Sequence, residues 1–202
     1  MQSVDNKVVT RIYGHGRGWV FTQVDFADLA PRETVDWVLH TLEKRGTIRR
    51  VIRGVYDYPE TSKLLNEVLP PDMGGLAGAL ARKFGWRIAP SGETALNMLG
   101  LSTQVPARYV FMTNGRSRTY KVGNRELAFK RSSLKESGFA LPESTLLVQA
   151  LRALGKDPLT PEQAGRIRQA LGRTSCRRIL RDTRSATGWI HKLIRQVCTN
   201  RE

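Results

Sequence analysis

Between Val35 and Tyr58 the apolar pattern changes period, and that change constrains the fold more than any other feature. Val35, Val38, Leu39 and Leu42 stand at i, i+3, i+4 and i+7, one apolar stripe along a helix. Gly46 follows where a left-handed C-terminal cap is wanted. Thr47-Ile48-Arg49-Arg50-Val51-Ile52 and Val55-Tyr56-Asp57-Tyr58 then read as two strands turning at Arg53-Gly54, and Pro59 closes the second. A helix with one buried face that runs straight into a tight hairpin must share a core with it.

The residues upstream complete the pattern. A short helix is expected from about Ser3 to Tyr13, then a glycine-rich turn over 14–18 and a brief apolar strand, Trp19-Val20-Phe21. Thr22 is placed to cap a second helix through Val24, Phe26 and Leu29, and a third runs from about Pro31 to Lys44. Helix, strand, helix, turn, helix and basic hairpin is the order of a winged helix-turn-helix. The face of the third helix opposite its apolar stripe carries Glu33, Trp37, His40 and Lys44, flanked by Asp36 and Thr41, with Arg32 and Thr34 in its first turn. Such a helix fills a major groove, and Arg49, Arg50 and Arg53 of the hairpin would reach phosphates or the adjacent minor groove. Two alternatives stay open. The fold can serve as a protein-interaction scaffold with these arginines as a solvated face, and Trp37 can pack beneath the hairpin instead of facing a ligand.

Charge supports a polyanionic partner. The 202 residues hold 33 Lys and Arg against 18 Asp and Glu, a net charge of +15. Residues 1–60 are nearly balanced, with nine basic and eight acidic residues, yet five of those cations fall between Lys44 and Arg53. Residues 61–140 and 141–202 each hold twelve basic and five acidic residues. Neither a secretory signal nor a run of about 20 apolar residues occurs, so a cytoplasmic protein with no membrane contact is expected. Cys176, Cys198 and three scattered histidines have no metal-ligand spacing, and no catalytic motif stands out. Neither a metal, a cofactor nor an enzymatic activity is expected.

Beyond residue 60 a second domain, 61–202, is expected, giving an α+β chain with a small antiparallel sheet and a helical C-terminal part. Residues 60–69 read as a partly helical connector, and Asp72 caps a helix through Phe84. Trp86 to Ala89 reads as a short strand and Glu93 to Leu99 as a helix closed by Gly100. Residues 108–131 read as consecutive antiparallel hairpins turning at Asn114-Gly115 and Gly123-Asn124, with Arg116 and Arg118 on one face. Helices fill 143–198, one of them opened by the capping box Thr160-Pro161-Glu162-Gln163. Arg177, Arg178, Arg181 and Arg184 form a cationic ridge on a helix from Arg173 to Arg184, either a solvated face or a contact with nucleic acid or an acidic partner.

Several segments together resemble the AbiEi-type antitoxins of type IV abortive-infection toxin–antitoxin pairs. They are Leu42-Glu43-Lys44-Arg45-Gly46-Thr47-Ile48-Arg49-Arg50, Arg53-Gly54-Val55-Tyr56, Pro90-Ser91-Gly92-Glu93-Thr94-Ala95-Leu96-Asn97, Gly100-Leu101-Ser102-Thr103-Gln104-Val105-Pro106 and Thr113-Asn114-Gly115-Arg116-Ser117-Arg118-Thr119. Thr187-Gly188-Trp189-Ile190 is similar to the family's final helix, although Ala186 precedes it where an alanine-proline pair is usual. The resemblance implies a winged helix that represses its own operon by binding promoter inverted repeats in double-stranded DNA. It also implies a C-terminal domain that counteracts an AbiEii-type, nucleotidyltransferase-like toxin. Arg116, Arg118 and the Arg177–Arg184 ridge are the physical candidates for that second task. The alternative from another class is an RNA-binding or adaptor protein that uses its basic C-terminal domain and keeps the winged helix as scaffold.

Overall fold

A computed structural model of the chain describes residues 3–62, 64, 66–102, 104, 106–132, 139–172 and 176–199. The chain is mixed α+β and divides into two compact units, Met1–Trp86 and Arg87–Glu202.

In the first unit, α1 (Val4–His15) begins where the Ser3 hydroxyl oxygen accepts from the Asn6 amide at 3.3 Å. After β1 (Val20–Phe21), Thr22 and Asp25 close a reciprocal capping box, but only a single 3₁₀ turn follows, Gln23–Phe26. The longer helix expected through Leu29 does not form; the chain continues in tight turns, with the Leu29 amide donating to the Phe26 carbonyl at 2.9 Å. Next comes α2 (Arg32–Lys44), which buries Val35, Val38, Leu39 and Leu42 as its stripe requires. Gly46, at φ 71°, ends it in the left-handed conformation. The hairpin is β2 (Arg49–Ile52) and β3 (Val55–Asp57), with Gly54 in the turn at φ 70°. These strands and β1 form one antiparallel sheet in the order β1–β3–β2. Val8, Ile12, Phe21, Phe26, the α2 stripe and Ile48 make the core.

The connector differs from the expected partial helix. Thr61–Ser62 and Glu67–Val68 pair antiparallel as β4 and β5, and Asn66 takes φ 50°, a conformation that asparagine tolerates in turns. Lys63 and Leu65 of that connector lie outside the described residues. Asp72 caps α3 (Met73–Phe84) by accepting from the Gly74 and Gly75 amides at 3.1 and 2.7 Å. This helix packs directly on β1: a Cβ at Gly75 would come within 3.2 Å of Val20 Cγ2. Arg82 Nε bonds Asp25 Oδ1 at 2.6 Å, and Nη2 donates to the Val20 carbonyl at 3.0 Å. The first unit therefore extends to Trp86, not to residue 60, since α3 supplies part of its packing.

The second unit holds a four-stranded sheet built from β6 (Ile88–Pro90), β7 (Arg108–Thr113), β8 (Arg118–Val122) and β9 (Arg125–Arg131) in the order β6–β7–β9–β8. Only the second expected hairpin, β8–β9, forms; β7 pairs with β9 in parallel. Burial explains the order. Leu127, Ala128 and Phe129 are consecutive buried residues, the pattern of a strand covered on both faces, so β9 takes the interior position. β8 carries exposed Arg118, Thr119 and Lys121 and goes to the edge. Asn114 serves another purpose than a hairpin turn, as its Oδ1 accepts from the Arg87 amide at 2.7 Å.

Helices complete the unit: α4 (Gly92–Met98), α5 (Pro142–Leu154), α6 (Pro161–Leu171), α7 (Cys176–Asp182) and α8 (Gly188–Thr199), with a 3₁₀ turn at Thr183–Ser185 after α7. The Thr160/Gln163 capping box is present. Arg173, where the ridge helix was expected to begin, lies outside the described residues with Thr174 and Ser175. Leu141 precedes α5 without a capping side chain, and Asp182 substitutes from a distance, accepting from the Ala140 and Leu141 amides at 2.9 Å each. Burial pushes the Asp182 carboxyl up, but the Leu141 amide, the Ser144 hydroxyl and the Ala140 amide together outweigh it and hold the group below its ordinary value.

Asp182→Ala is expected to cost about 1 kcal/mol, as loss of a cap does, read from the midpoint of urea unfolding at neutral pH. A carboxyl whose value is lowered on folding stabilises above its unfolded value and loses that contribution as pH falls through the folded one. The difference between wild type and variant should therefore vanish in acid.

Candidate nucleic-acid interface

The outer face of α2 carries the expected residues. Arg32, Glu33, Thr34, Asp36, Trp37, His40 and Lys44 are exposed, and Thr41 is half-buried with its hydroxyl donating to the Trp37 carbonyl at 3.0 Å. Trp37 is 60% exposed, so it does not pack beneath the hairpin. An indole that open on a helix face is unusual for a residue that ordinarily buries most of its area. On this face Arg32 Nε lies 3.5 Å from Asp36 Oδ2, and His40 Nδ1 lies 3.9 Å from Glu43 Oε2. Asp36 is thus compensated at the end of the helix where a phosphate would otherwise be repelled.

The three hairpin arginines divide. Arg49 is turned into the protein's own body: its Nε bonds Asp57 Oδ1 at 3.0 Å, its Nη2 pairs with Asp57 Oδ2, and its Nη1 donates to the Leu69 carbonyl at 3.1 Å. Asp57 is 2% exposed and needs that partner, so the expected phosphate contact by Arg49 is withdrawn. Arg50 and Arg53 are exposed. Strand alternation separates Arg49 from Arg50, since adjacent residues of β2 point to opposite faces, and Arg53 lies in the turn beyond the strand.

Sequence reading missed Lys83. From the last turn of α3 its ammonium donates to the Gly54 carbonyl at 3.3 Å, in the turn that carries Arg53. Burial lowers its pKa, and the charges of Arg32 and Arg53 lower it further against the opposing pull of Asp36. Cations from three elements therefore meet at one end of α2. The only sequence signal was the Arg82-Lys83 pair at the end of a helix whose packing partner was not legible.

In the second unit, Arg116 is exposed just ahead of β8, and Arg118 opens the strand with its Nη1 donating to the Tyr120 hydroxyl at 3.4 Å. They share an edge but not a strand. Arg177, Arg178, Arg181 and Arg184 are all exposed along α7 and its following turn. Arg177, Arg181 and Arg184 line one cleft, and Arg178 does not.

The segment Ser91-Gly92-Glu93-Thr94-Ala95 has a packing role. Ser91 caps α4, a Cβ on Gly92 would come within 2.7 Å of the Ala153 Cβ, and Thr94 Oγ1 accepts from the Val110 amide at 2.9 Å. It locks α4 against α5 and β7. Among the described residues no three His, Cys, Asp or Glu side chains are grouped to hold a metal, and no helix is long and apolar enough to cross a membrane.

One family matches most of the chain: DUF6088, described as a family of unknown function, over residues 7–179. No curated protein matches.

Removing Arg49 and Arg53 one at a time should separate structure from surface. Arg49→Ala strands the Asp57 carboxylate and should lower stability by about 2–3 kcal/mol, discounted from the fully buried case for the partial exposure of the arginine. Arg53→Ala should stay within about 0.5 kcal/mol of wild type. Thermal or urea unfolding of both variants checks the contrast.

Proposed function

We propose that this chain, which belongs to the DUF6088 family, is a duplex-DNA-binding repressor of its own operon and the antitoxin of a type IV toxin–antitoxin pair. Its first unit acts as a winged helix, and its second counteracts a nucleotidyltransferase-like toxin. The observation that carries the reading is the exposed face of α2 beside an exposed cationic turn. The order α1, β1, 3₁₀ turn, α2, β2, β3 with strands arranged β1–β3–β2 supports it.

In this reading α2 enters the major groove. Thr34, Trp37 and His40 reach base edges and the thymine methyl, and Glu33 accepts from a cytosine amino group. Arg50, Arg53, Lys44 and Lys83 hold phosphates. The first unit has twelve basic and ten acidic residues, so its attraction for DNA comes from where these cations sit and not from overall charge. Two such units on an inverted repeat would read both halves. The antitoxin half draws its support from the resemblance to AbiEi-type proteins.

Binding to the DNA upstream of its own gene tests the first half. Four phosphate contacts give a log–log salt slope of roughly −4 per half-site. Arg53→Ala should weaken binding to all sequences and flatten the slope by about 1, whereas His40→Ala should change which sequences bind. The excess of charge in the second unit, twenty-one basic against eight acidic residues, favours a second reading as an RNA-binding or adaptor protein. Undiminished duplex binding and an unchanged slope in the Arg50→Ala/Arg53→Ala double variant would select that reading instead. Co-expression with a neighbouring nucleotidyltransferase-like gene tests the antitoxin half, with restored growth expected and continued arrest contradicting it.

A further inference from the structure

A cleft of about 410 Å³ opens between α7 and α8. Arg177, Arg181 and Arg184 line it from one side, and His191 and Arg195 from the other. Both sets follow helical spacing, i, i+4, i+7 on α7 and its following turn and i, i+4 on α8, so each is a single face turned toward the same space. No carboxylate is among its described lining residues. The one acidic residue of α7, Asp182, is spent on the amides that begin α5. The sequence of α8 contains no acidic residue at all. Four guanidiniums and an imidazole therefore share a concave space with no counter-charge from side chains of the two helices.

We infer that this cleft binds the polyphosphate chain of a nucleoside di- or triphosphate. Arginine forks match phosphate oxygens in paired hydrogen bonds, and a cleft concentrates them on a compact anion. Its volume falls in the range of small-molecule sites. The lining contains no Phe, Tyr or Trp on which bases could stack, and the cations converge on one place instead of following a track. Both features favour a compact phosphate chain over an RNA strand, and both make recognition indifferent to the base. The inference stands apart from the duplex-binding reading, whose contacts all lie in the first unit.

The test uses the full chain at constant ionic strength, with sodium tripolyphosphate, ATP, CTP and orthophosphate as probes. Binding is followed by the imidazole resonances of His191 and by the alkylation rate of Cys176, a thiol in the lining. Tripolyphosphate, ATP and CTP are expected to bind saturably within about threefold of one another, and orthophosphate about tenfold more weakly, for want of the paired contacts. Arg181→Ala and Arg195→Ala should each weaken binding by about tenfold, as removal of a charged hydrogen-bond donor does. Arg178→Ala removes the same charge from the same helix but outside the lining, and should change affinity less than about twofold at this ionic strength. Equal losses in Arg178→Ala and Arg181→Ala, or no saturable change at His191, would overturn the proposal. Tighter binding of a short single-stranded RNA than of ATP, with the same protection of Cys176, would also overturn it.

Discussion

The ion pair between half-buried Arg49 and buried Asp57 sets the arrangement on which the rest of the first unit depends. Asp57 sits in the central strand of the sheet, opposite Val20 on one side and Arg49 on the other. Its carboxylate takes two donors from Arg49, whose third contact holds the Leu69 carbonyl of the segment leading to α3. One side chain thus joins β2, β3 and the connector. Since alternate residues of a strand face opposite ways, burying Arg49 forces Arg50 outward. A slip of one residue would bury Arg50 and release Arg49, exchanging their roles. The pair therefore decides which cations the hairpin presents.

Local chemistry in the sequence was a good guide to local structure. The Val35/Val38/Leu39/Leu42 stripe, Gly46, the Arg53-Gly54 turn and the caps at Asp72 and Thr160 depend only on near neighbours, and all are found as read. Features set by distant partners were not legible. Asn114-Gly115 carries a strong hairpin signal, yet β9 lies between β7 and β8 because its apolar run needs the sheet interior. The extent of the first unit depends on α3 meeting β1, which no local pattern announces. The fate of Arg49 was not readable, because a regular hairpin turning at Arg53-Gly54 sets Arg50 across from Asp57, and only the register shift between Arg50 and Ile52 brings Arg49 there.

The candidate interface divides along the same line. Exposure of the α2 face follows from its periodicity. Lys83 joins the cations of the turn only through tertiary packing, and Arg195 joins the ridge arginines only because α8 lies against α7. Charge is also distributed unevenly, with nearly all of the net +15 in the second unit. The first unit offers an ordered set of a few cations around a helix suited to a groove. The second concentrates arginines where a compact anion fits. One surface suits a long, regular polyanion and the other a small one, which is a physical reason for two units with different tasks.

The most direct test of the central claim is to map the amide resonances of the isotopically labelled chain that move on adding duplex DNA from upstream of its gene. The account requires the largest changes in 32–44 and 50–54, with a smaller response near Lys83. Changes confined to the second unit, with α2 and the β2–β3 turn unmoved, would contradict it.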